Sequence, residues 1–179
     1  MDRLLGIYMT DHLALGCFAR VLARRAQRAH DGTALGDALA RVAEDGIAQD
    51  IALYERMMVQ LGFSPRSPKV LLAVAGERVG RLKPNGRLRP RSPLSSFEEL
   101  DFLIMAIEGK VVLWENLRDL AGLTERLRDV DFDRLVDRAH RQRAELEPFR
   151  TRAGRAALGT APVSAGRDRR GALSNRAAD

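Results

Sequence analysis

Four stretches of this chain carry an apolar residue at every third or fourth position, and the connections between them are very unequal in length. The first stretch covers roughly residues 3–30 through Leu5, Tyr8, His12, Leu15, Ala19, Leu22 and Ala26. "HDGT" at 30–33 breaks it, and Thr33 is placed to cap the second, which runs over roughly 34–61 through Leu35, Leu39, Val42, Ile47, Ile51, Tyr54, Met58 and Leu61. Gly62 follows in the position of a helix-ending glycine, and "FSPRSP" stops the element. The third stretch opens at Ser95, where Ser95 and Glu98, and equally Ser96 and Glu99, have capping-box spacing. Its stripe is Phe97, Leu100, Ile104, Ile107, Val111, Trp114 and Leu117, closed by Gly122. The fourth starts near Asp131 with Phe132, Leu135, Ala139, Gln142 and Leu146, and Pro148 predicts a kink or break in it.

Helices of this length run ~40 Å at 1.5 Å per residue. The first and last connections are short, so each pair of helices is expected to form an antiparallel hairpin. The middle connection, residues 63–94, is long enough to travel the whole length of such a bundle, with a short helix of its own over Lys69–Leu82. The expected fold is therefore all-α, a four-helix bundle of two antiparallel hairpins joined by a long crossover. Residues 1–158 form the bundle, and 159–179, which lack both period and bulk, form a disordered C-terminal tail.

The crossover is also where the positive charge collects. Residues 63–95 hold Arg66, Lys69, Arg78, Arg81, Lys83, Arg87, Arg89 and Arg91 against the single acid Glu77. The chain as a whole carries +6, and the helices outside the crossover and the tail are net acidic. Within "LKPNGRL", Pro84, Asn85 and Gly86 read as a tight turn that Leu82 and Leu88 can pin to the bundle. Arg78, Arg81, Lys83, Arg87, Arg89 and Arg91 then form a candidate anion-binding patch for an anionic macromolecule or an acidic protein. The competing reading pairs the same arginines with bundle acids such as Glu98, Glu99 and Asp101. No aromatic residue stands between the basic ones to stack bases, which argues against specific single-strand recognition.

On the pairing of a helix ending "LGF", the stretch "ERVGRLKPNGRLRPRSPLS" and a helix carrying "EGKVVLWENL", the chain resembles a subgroup of the ferritin-like four-helix-bundle superfamily over residues 10–155. In many members the resemblance implies a di-iron centre held by glutamates and Glu-x-x-His ligands. The chain departs from that pattern, because it contains no Glu-x-x-His. Asp137-x-x-His140 is its only carboxylate-x-x-His, and Ile47 stands three residues after Glu44. The third stretch offers Glu108 and Glu115, and counting rise from the helix ends puts His12, Asp50, Glu115 and His140 at similar heights, the makings of a rough polar layer. The expectation is no catalytic residue, no metal and no cofactor, with a degenerate metal-binding bundle of redox or iron-handling activity as the alternative.

The remaining signals mostly exclude. No phosphate-binding glycine loop, dinucleotide fingerprint or nucleophile elbow occurs. The single cysteine, Cys17, lies in an apolar helix and reads as a small packing residue in a reducing compartment. No uncharged run reaches the ~20 residues of a membrane span, so no membrane insertion and a cytoplasmic location are expected, with a homodimer possible. The expected role is a non-enzymatic binding or assembly protein.

Overall fold

The computed structural model describes residues 2–66 and 92–159, and all regular structure among them is helical. Helix α1 (Asp2–Ala29) turns through the Thr33 region into α2 (Ala34–Ala40), where Thr33 Oγ1 accepts a bond from the Gly36 amide at 3.1 Å. The same helical rod continues as a π-helical segment, Arg41–Ala48, and then as α3 (Gln49–Gln60). It ends where Gly62 takes a φ of +80°, a conformation open to glycine at no steric cost.

Helix α4 (Pro93–Glu115) opens one turn earlier than the serine–glutamate spacings suggest. Ser92 is the cap, accepting from the Ser95 amide at 3.2 Å, and Pro93 fills the first helical position, where no amide donor is needed. A short π-helical segment, Asn116–Leu120, follows, and Gly122 leaves the helix at a φ of +58°. Helix α5 (Phe132–Leu158) is capped by Asp131, which accepts from the Arg134 amide at 2.9 Å. The break expected at Pro148 does not occur, and the helix runs through it. Pro148 and Ala144 are both exposed, so water can satisfy the carbonyl that the proline leaves without a donor.

Contacts between the rods fix their directions. Arg24 meets Glu44 at 2.6 Å across the first hairpin. Tyr8 near the start of α1 accepts from Asn116 beyond α4 at 3.0 Å, while Arg25 near its end reaches Glu99 near the start of α4 at 2.8 Å. Helices α1 and α4 are therefore antiparallel. Arg41 reaches Glu145 at 2.6 Å and Gln60 reaches Asp129 at 3.4 Å, so α2–α3 and α5 are antiparallel too. The rod ending at Gln60 and the rod beginning at Pro93 thus run in the same direction.

The core falls into two apolar clusters. One gathers Leu22, Ala23, Leu39, Leu103, Ile107 and Leu146 with their neighbours, and the other gathers Met9, Leu13, Met57, Trp114, Leu117 and Leu127. Each large side chain buried this way contributes about 1.5–3 kcal/mol relative to exposure. Ile51 and Val136 touch both clusters, and the polar residues between them occupy the middle of the bundle.

Candidate functional site

Asp50, at the second position of α3, is 4% exposed, and its carboxylate is claimed from two sides. Lys110 on α4 places its Nζ 2.6 Å from Oδ2, and the Arg138 guanidinium on α5 donates to Oδ1. The Lys110 ammonium also donates to Oε1 of Gln142, one turn along α5 and itself buried. Three helices thus meet in one layer of four polar side chains. Gly46 makes room for it, since a Cβ there would stand 2.5 Å from Gln142 Nε2. Gly46 lies in the π-helical segment, whose wider turns set the register in which Asp50 enters the layer.

The electrostatics follow from burial. Desolvation pulls the Lys110 ammonium below its usual pKa, and the adjacent Asp50 carboxylate opposes that pull. One carboxylate faces two cationic side chains, so the layer is electropositive.

The layer replaces the one expected from helix heights. Of the residues expected at that height, Asp50 belongs to it. Glu115 is only partly buried, His140 and Asp137 are exposed, and Glu108 pairs with Arg143. His12 is partly buried on α1, with Nδ1 2.9 Å from the Tyr8 carbonyl and its ring against that of Tyr8. Helical height locates a residue along the axis but not its angle about it, which is why the four do not converge. A metal does not suit the layer, because both oxygens of its only carboxylate already accept from cations. Among the described residues no group of three or more His, Cys, Asp or Glu side chains is placed to hold an ion.

Lys110 and Arg138 escaped the sequence reading. The available signal was Lys110 itself, one of three lysines in a chain with 30 basic residues, set inside the apolar run "LIMAIEGKVVL". The candidate anion-binding residues Arg78, Arg81, Lys83, Arg87, Arg89 and Arg91 lie outside the described residues, as do the Leu82–Leu88 turn and most of the predicted tail. Among the described residues, Glu99 binds Arg25 and Asp101 lies 3.4 Å from Arg150.

Beside the layer, between α1 and α4, an apolar cleft of about 350 Å³ opens to solvent. Leu13, Phe18, Ile51, Phe102 and Met105 contribute to its walls, and Asp50 and Lys110 reach its lining. Tyr54 and Trp114 also line it, packed edge to face at 5.6 Å between centroids. The buried Tyr54 hydroxyl and Trp114 indole N–H find no hydrogen-bond partner among the described residues. Cys17 is partly buried, and burial raises its thiol pKa, an environment that keeps it protonated and unreactive. No described helix is long and apolar enough to cross a membrane. No family model, curated protein or solved structure matches the chain.

Proposed function

We propose that the chain is a non-enzymatic binding or assembly protein, a ferritin-like bundle whose basic crossover contacts an anionic macromolecule. One observation carries this reading. Gln60, the last residue of α3, lies beside Asp129, whereas Glu99 in the second turn of α4 lies beside Arg25, at the other end of α1. The intervening segment therefore has the two ends of the bundle to join, and it carries eight basic groups against one acid over 63–95. Charges spread along a rigid scaffold lose less conformational freedom on contact than charges on a free tail, and their summed field attracts polyanions.

The mid-bundle layer supports the non-enzymatic half of the proposal. Its groups are bonded to one another, and apart from His12, Asp50 and Lys110 the cleft beside it is walled mostly by hydrocarbon. A degenerate iron-handling role, the alternative reading, finds no support in a carboxylate saturated by Lys110 and Arg138.

The test is a titration with inorganic polyphosphate of three proteins: the full chain, a chain ending at Leu158, and the full chain with Arg87, Arg89 and Arg91 changed to Ala. Binding that survives the truncation, weakens in the triple variant and falls steeply with salt is expected. Binding lost only on truncation, or absent from all three, overturns the proposal.

A further inference from the structure

We infer that the α1–α4 face is covered by a second copy of this chain, independently of what the crossover binds. Five side chains of this face stand well exposed on either side of the cleft: Leu15 (63%) and Phe18 (42%) on α1, and Phe102 (56%), Met105 (53%) and Val112 (52%) on α4. The α1 stripe continues through Ile7 and Leu4, also exposed. Half-exposed side chains of this size leave on the order of 100 Å² each, so seven offer roughly 700 Å². A stable interface of standard size needs about 800 Å² per partner. Monomers rarely leave so large an apolar patch in water.

The α4 half of the face is poor in charge, whereas the α1 half carries the exposed Asp11 between Ile7 and Leu15. Between Phe102 and Val112 the only charged residues are Glu108 and Lys110, and both are paired, with Arg143 and with Asp50, the second pair reaching the lining of the cleft. Depletion of charge is the mark of an interface core.

Shape selects the occupant. A small apolar molecule in the cleft would leave Leu4, Ile7 and Val112 exposed, because the apolar surface extends well past the cavity. A second copy covers all of it. Ridge and groove lie side by side on one face, with Phe102 and Met105 beside the cleft, and a Cβ at Gly109 in its wall would meet nothing within 4 Å. A two-fold axis brings the ridge of each copy over the groove of the other, the self-complementary arrangement of an isologous dimer.

Sedimentation velocity on the full chain, from low to high micromolar concentration, tests this. The expected species has twice the 19.9 kDa chain mass. Phe102→Glu with Met105→Glu, both at exposed positions, should give the single-chain mass with an unchanged far-ultraviolet circular dichroism spectrum. Leu15→Lys with Val112→Lys should do the same, so the conclusion does not hang on one variant. A single-chain mass at every concentration overturns the inference, as does a dimer that survives both variants. A single chain retaining an apolar molecule in native mass spectrometry overturns it in favour of a small ligand.

Discussion

Gln142 lies against the backbone of Gly46, so close that a Cβ on Gly46 would stand 2.5 Å from its Nε2. The two residues come from different rods, and their contact sets how near α5 approaches the π-helical segment. Gly109, also helical, has open space where a side chain would be.

The same substitution should therefore have opposite signs at the two sites. Replacing a helical glycine by alanine stabilises by roughly 0.5–1 kcal/mol through backbone entropy. Gly109→Ala should show that gain in urea unfolding, measured in the single-chain Phe102→Glu, Met105→Glu background so that no second copy faces the site. Gly46→Ala should lose about 1–3 kcal/mol, since Gln142 must move and the layer with it. Equal effects at both positions would mean that the Gly46 contact is not rigid.

The layer's charge balance predicts an asymmetry between its members. Asp50→Asn leaves the buried Lys110 ammonium without its carboxylate and should cost about 3–5 kcal/mol. Lys110→Met leaves Asp50 still bonded to Arg138 and should cost less, about 1–2 kcal/mol. Combining the two should recover part of the Asp50→Asn loss. Chemical unfolding of the three variants checks this, and a more damaging Lys110→Met would show that Arg138 does not neutralise Asp50.

Alkali should expose Tyr54. Burial raises the pKa of its hydroxyl well above the ordinary 10.0, with the neighbouring Tyr8 adding to the shift. The folded state then holds the proton after the unfolded chain has released it. The stability from this group is complete below pH 10.0 and declines as pH rises above that value. Tyr54→Phe should match the parent at neutral pH to within ~1 kcal/mol, because the hydroxyl has no described partner. Above pH 10.0 the variant should become the more stable of the two. Parallel stability curves across that range would contradict the assignment.

How much of this was legible beforehand depends on which physical signal each feature leaves in the sequence. Helix stripes are written in residue spacing, and Leu39, Ile107, Trp114 and Leu146 are buried as their periodicity requires. Thr33, Gly62 and Gly122 punctuate the chain through local backbone chemistry that a sequence states directly. Ser92 was eclipsed because Ser95 and Ser96 offer the same cap chemistry a few residues on, and only the fold decides among them. The polar layer was half visible. Asp50 sits at the right height, but its partners are cations, and a search organised around carboxylates and histidines passes over Lys110 and Arg138. The π-helical segments that set the angular register leave no distinct residue pattern at all.

The claim that the middle of the bundle is closed by its own charges is tested most directly by elemental analysis of the protein purified from cells. A carboxylate already shared by Lys110 and Arg138 predicts iron and manganese far below one per chain, unchanged in Glu108→Ala and His140→Ala. Two metal ions per chain, lost in those variants, would contradict the closed layer and make the bundle a metal centre.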